Sequence, residues 1–64
     1  MKYGIFSETN GWLVICDSDQ CLFNHTPDFV MDFLSETGAR GFLEILSVLH
    51  PTAPDDCVIQ VWEY

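Results

Sequence analysis

Apolar and polar positions alternate with a period of two at both ends of this chain, and a longer period runs between them. Residues Lys2–Ser7 and Trp12–Asp17 carry the β-branched and aromatic residues of strands, and the run from Cys57 to Tyr64 alternates in the same way. Asn10-Gly11 separates the first two runs, and that dipeptide favours a tight hairpin because a type I′ turn needs positive φ at both central positions. Such a turn pairs Thr9 with Trp12, Ser7 with Val14 and Ile5 with Cys16. It gathers Tyr3, Ile5, Val14 and Cys16 on the expected core face, with Phe6, Glu8, Leu13, Ile15 and Asp17 on the other.

The middle of the chain reads as helix. Thr26-Pro27-Asp28 has a capping hydroxyl, a proline suited to the first helical position and a carboxylate that complements the positive helix end. A first helix is expected from there to about Thr37, ending at Gly38 and burying Phe29, Val30, Phe33 and Leu34. A second is expected over about Arg40 to Leu49, with Phe42, Ile45, Leu46 and Leu49 inward and Pro51 ending it. The expected fold is one α+β domain spanning residues 1–64, ordered ββααβ. Two short helices would cover one face of a three-stranded, largely antiparallel sheet. Its last strand would lie antiparallel beside the second if the helices double back, or beside the first if they form one long kinked helix.

Charge changes the picture most. Ten carboxylates face two basic side chains, Lys2 and Arg40, for a net charge of −8. Hydrophobic residues make up 48% of the chain, so this charge sits on a body able to fold and not on an acidic disordered tail. Direct nucleic-acid binding is excluded, because two cations cannot form the basic footprint it needs. Binding to a basic macromolecule is favoured. On the expected first helix Asp28, Asp32 and Glu36 recur every four residues, about 6 Å apart along the axis, as one anionic stripe. Asp28 suits the positive helix end, but Glu36 falls near the negative one. Such a stripe imitates successive phosphates of a nucleic-acid strand. Glu8, Asp17 and Glu44 are the next candidates for the same contact, and Asp19, Asp55, Asp56 and Glu63 could extend it. Phe6, Leu13 and Trp62 would supply apolar anchors on the outer sheet face.

Other chemistry finds little support. Cys16, Cys21, His25 and either Cys57 or His50 offer zinc-compatible atoms but no close Cys-x2-Cys pair, so no cofactor is expected. Cys21 with His25 lacks an oxyanion site and an orienting third group. Asp17-Ser18-Asp19 is an ordinary loop composition, and the glycines are scattered singly, so no enzyme is expected. Met1 to Phe6 run into Ser7-Glu8-Thr9-Asn10 without an apolar leader, and no stretch approaches the ~18 apolar residues of a membrane span. A cytosolic location and three free thiols are therefore expected.

A short acidic chain of this kind, with the Asp28-Asp32-Glu36 stripe, resembles the small phage-encoded anti-CRISPR proteins, several of which are nucleic-acid mimics. The resemblance rests on size and charge and matches no family motif. It implies an inhibitor that binds a basic nucleic-acid-binding protein, a CRISPR effector subunit in particular, and blocks DNA access. An adaptor or homodimerisation module using an apolar sheet face is the alternative, and the chain would act as a monomer or homodimer.

Overall fold

The computed structural model describes residues 1–62; Glu63 and Tyr64, at the end of the expected closing strand, lie outside the described residues. Four strands and one helix follow in the order β1 (Lys2–Ser7), β2 (Gly11–Cys16), β3 (Cys21–Asn24), α1 (Glu36–Leu49) and β4 (Cys57–Trp62). The strands form one antiparallel sheet in the order β3-β2-β1-β4. The expected three strands become four because Cys21–Asn24 pairs with β2, and the expected two helices become one. The last strand lies antiparallel beside the first, pairing in unbroken register from Ser7↔Cys57 to Lys2↔Trp62.

The first helix is absent for a tertiary reason. β1 and β2 pair only near their turn, at Phe6↔Trp12 and Ser7↔Gly11, and then diverge. Divergence leaves backbone groups of Tyr3 and Leu13 facing a gap, and buried backbone groups must find partners. Residues 31–33 fill it in extended form. Phe33 N–H donates to the Tyr3 carbonyl at 2.8 Å, Tyr3 N–H to the Phe33 carbonyl at 2.9 Å, and Met31 N–H to the Leu13 carbonyl at 3.0 Å. Met31 and Phe33 pack on the core while Asp32 faces solvent, a period of two in a segment whose composition also suits a helix. Phe29 and Leu34, expected to be buried, are exposed.

The hairpin register also differs from the expected one. Glu8, Thr9 and Asn10 form the turn, so Phe6 and not Thr9 lies opposite Trp12. Asp56, just before β4, makes this longer loop workable. One carboxylate oxygen accepts from the fully buried Ser7 hydroxyl at 2.6 Å, and the other accepts from the Thr9 N–H and hydroxyl at 3.0 and 2.9 Å. Ser7 Oγ in turn accepts the Asn10 N–H at 3.0 Å. Gly11 takes the positive φ of 95°, and a Cβ there would collide with the Asn24 carbonyl. Leu13 consequently joins Ile5 in the core, where both are fully buried. A register shift between Leu13 and Ile15 then returns Cys16 to the same side.

The helix starts where Ser35 caps it, its hydroxyl accepting the Gly38 N–H at 3.1 Å with Glu36 in the first turn. It ends before Pro51, as expected. Ala39, Phe42, Leu43 and Leu46 form its inward stripe, so the expected Ile45 and Leu49 lie exposed beside that stripe. Both choices satisfy the helical period; contact with β1 and β4 selects between them.

Removing the Ser7 hydroxyl takes away both the donor to Asp56 and the acceptor for Asn10. Ser7→Ala should therefore cost about 1–3 kcal/mol in urea unfolding. Hydrogen bonds from Ser7 and Thr9 hold the Asp56 carboxyl below its ordinary value. A lowered folded-state pKa stabilises the fold above the unfolded carboxylate value of ~3.9, and that stability is lost as pH falls through the folded value. Acid unfolding of wild type should show this loss, and Asp56→Asn should flatten it.

Candidate functional site

Both cations of the chain are neutralised in place. Lys2 Nζ lies 3.3 Å from an Asp32 carboxylate oxygen, and Arg40 donates to Glu36 at 2.8 Å one helical turn away. The Lys2–Asp32 contact follows from the inserted segment, which places Asp32 on the solvent side next to β1. The Glu36–Arg40 contact follows from helix spacing, the two residues lying one turn apart on α1. All four side chains are well exposed, so each pair adds at most ~1 kcal/mol of stability. Their consequence is electrostatic: two members of the expected stripe are matched by the only lysine and arginine.

The stripe itself does not form. Asp28 and Asp32 lie on the non-helical stretch before α1, and Glu36 is the first residue of α1, at its positive and not its negative end. Another group of acids converges around the entry to β4. Asp56 reaches the β1–β2 turn through Thr9, the neighbour of Glu8. Glu44 and Asp55 flank one surface groove of ≈ 330 Å³, floored by Leu43, Pro54 and Cys57. Of the expected contact residues, Glu44 shares this groove with Asp55, and Glu8 lies in the turn that Asp56 holds through Thr9. Asp17 stands in the β2–β3 turn, where its carboxylate accepts from the Asp19 and Gln20 N–H groups at 2.8 Å. Those two bonds hold the Asp17 carboxyl below its ordinary value. No local signal in the sequence marks the convergence on Asp55 and Asp56, because β4 reaches the first turn only through its pairing with β1.

The outer sheet face carries an aromatic ladder. Phe6 and Trp12 meet edge to face with ring centroids 5.1 Å apart, and Trp12 and Trp62 do so at 5.0 Å. Gly4 permits this: a Cβ there would lie 2.9 Å from the Trp12 ring. Phe6 and Trp62 sit on the outer face as expected; Leu13 does not, and Trp12 takes its place because of the shifted register. Gly4→Ala should displace Trp12 and lower stability by about 1–3 kcal/mol, with a change in the near-ultraviolet circular dichroism of the tryptophans.

The thiols and imidazoles are committed to structure. Cys16 and Cys21 face each other across β2 and β3, and Cys57 donates to the Pro54 carbonyl at 3.4 Å. His25 Nε2 lies 2.9 Å from the Thr9 carbonyl oxygen and His50 Nε2 lies 2.6 Å from that of Asp17; a carbonyl only accepts, so the proton sits on Nε2 in each. Among the described residues no group of three or more histidine, cysteine or acidic side chains is placed to hold a metal ion. Cys21 and His50 border one open hollow of ≈ 360 Å³. Burial, reinforced by neighbouring Cys16 and Cys57, pushes the Cys21 thiol up to about 12. Its thiolate fraction at neutral pH is then on the order of 10⁻⁵. Iodoacetamide should therefore alkylate Cys21 far more slowly in the native protein than in urea; equal rates would contradict the burial described.

No helix among the described residues is long and apolar enough to cross a membrane. Comparison with family models, with curated proteins and with solved structures finds no match to this chain.

Proposed function

We infer that this protein is a non-enzymatic acidic inhibitor: it binds a basic nucleic-acid-binding protein and competes with DNA for the basic surface. The observation that carries this reading is the internal neutralisation of Lys2 by Asp32 and of Arg40 by Glu36. No lysine or arginine remains to offset the other carboxylates, so the net charge of −8 is borne outside those two pairs. A compact body of 29 × 24 × 19 Å with that charge attracts and orients cationic surfaces over about a Debye length, ~8 Å at physiological salt. The contact is centred on Asp55 and Glu44, with Glu8, Asp17 and Asp28 as secondary contributors and Asp32 and Glu36 as minor ones. Mimicry here is of charge density and not of the regular spacing of phosphates along a helix. A phage-encoded inhibitor acting on a CRISPR effector subunit is the specific case that this chemistry fits.

A second reading, an adaptor or homodimer using the outer sheet face, is favoured by the Phe6–Trp12–Trp62 ladder and the exposed Val58 beside it. Salt separates the two, since screening weakens a charge-driven contact steeply and an apolar one little.

The test is target-DNA binding by a panel of purified CRISPR effector complexes, followed by mobility shift with and without the protein at increasing salt. Inhibition should weaken with salt. The double variant Glu44→Lys, Asp55→Lys should lose at least about tenfold in potency, the equivalent of 1.4 kcal/mol. Asp32→Asn and Glu36→Gln should each cost less than about threefold, since those charges are already matched. Loss of inhibition confined to the latter pair would reverse the assignment of the contact, and inhibition indifferent to salt would remove charge from the mechanism.

A further inference from the structure

β4 forms one end of the sheet, and among the described residues its backbone ladder runs to β1 alone. An end strand offers a row of backbone donors and acceptors to any extended chain, and proteins ordinarily blunt such edges with lysine, proline, a bulge or brevity. β4 has none of these. Its six residues, Cys-Val-Ile-Gln-Val-Trp, include no charge and no proline, and its register with β1 is unbroken. Val58 and Val61 are 49% and 41% exposed. The opposite end differs: β3 has four residues, and its pairing with β2 is interrupted by the shift between Leu13 and Ile15. Neither edge strand carries a charge, so length and unbroken pairing are what set β4 apart from β3.

We propose that the outer edge of β4 is a docking line for an extended, basic segment of a partner protein, which adds as a further strand. This rests on the acidic-inhibitor reading and says how the partner is gripped. Backbone pairing supplies affinity without demanding sequence, and side chains on alternate positions of the added strand lie beside Val58 on the outer face and Val61 on the inner. Charge selects the occupant. Asp55 stands two residues before the strand and shares its groove with Glu44, next to Cys57 at the start of β4. A lysine or arginine at the end of the incoming segment meets that pair. A second copy of this chain is disfavoured, because edge-to-edge pairing brings together two bodies of −8 each.

The probe is a synthetic peptide of alternating threonine and valine with two lysines at each end, titrated into the ¹⁵N-labelled full chain. Two controls carry glutamates in place of the lysines, or proline in place of the central valines. The lysine peptide should protect the β4 amides from hydrogen exchange and shift their resonances. Both controls should bind at least about tenfold more weakly, the glutamate one through repulsion and the proline one through lost backbone bonds. Val58→Lys, which places a guarding charge on the edge, should also lose about tenfold while keeping the wild-type unfolding midpoint. If that variant unfolds, the proline peptide carries the comparison alone. Equal binding of the lysine and proline peptides, with shifts confined to residues 8, 17–19 and 55–56, would overturn strand addition while leaving the charge-based reading intact. Absence of binding by the lysine peptide overturns strand addition as well, and the DNA-competition assay then judges the inhibitor reading separately. Sedimentation of the protein alone as a dimer, with β4 amides already protected, would assign the edge to a second copy.

Discussion

Backbone hydrogen bonding across a gap organises this molecule. β1 and β2 leave their shared turn and separate after two paired positions, exposing the inner edges of both at Tyr3 and Leu13. An unpaired buried peptide group costs on the order of a lost hydrogen bond, and residues 31–33 are the segment that meets the need. Much follows from that insertion. It brings Met31 and Phe33 to the core, sets Asp32 against Lys2, and confines the helix to the residues after Ser35. The helix, so confined, spans Glu36 to Leu49 and lays Ala39, Phe42, Leu43 and Leu46 over the sheet.

The same arrangement decides where the charge of the molecule is felt. With Lys2 held by Asp32 and Arg40 by Glu36, the lower part of the inserted segment and the start of α1 are locally balanced. Among the described residues the unmatched acids lie in the loops and turns, on α1 at Glu44, and at the entry of β4. There Asp56 is tied to Ser7 and Thr9 and so has a structural duty, whereas Asp55 and Glu44 are exposed along a groove. Structural and electrostatic roles are thus divided between adjacent aspartates, one turned into the fold and the other toward whatever approaches it.

Function, on this view, draws on two properties that a small domain can hold without a cavity. A high negative charge attracts basic surfaces over a range of several ångströms, and an unguarded strand edge adds short-range, directional backbone bonds. The Phe6–Trp12–Trp62 ladder stiffens the sheet behind that edge, since Trp12 reaches across Gly4 to join the turn-proximal part of β1 to the last described residue of β4. A stiff edge loses little conformational freedom when a strand adds to it.

Periodicity within the chain was sufficient for the strands at β1, β2 and β4 and for a helix ending before Pro51, and composition for a net charge of −8. Those features are local: each depends on a residue's own propensity, its near neighbours or a simple sum. Three outcomes were not local. Residues 27–35 carry a capping sequence and apolar residues compatible with a helix, yet adopt extended or irregular backbone because Tyr3 and Leu13, distant in sequence, require hydrogen-bond partners. Asn10-Gly11 favours a two-residue turn, yet Asp56, some forty-five residues on, satisfies the donors of a longer one and shifts the register that sends Leu13 inward. The acids available to a partner are likewise settled by which carboxylates the fold places beside Lys2 and Arg40. Tertiary structure decided these because a backbone donor or a charge is satisfied by whatever group the fold brings near it, and sequence distance does not enter that energy.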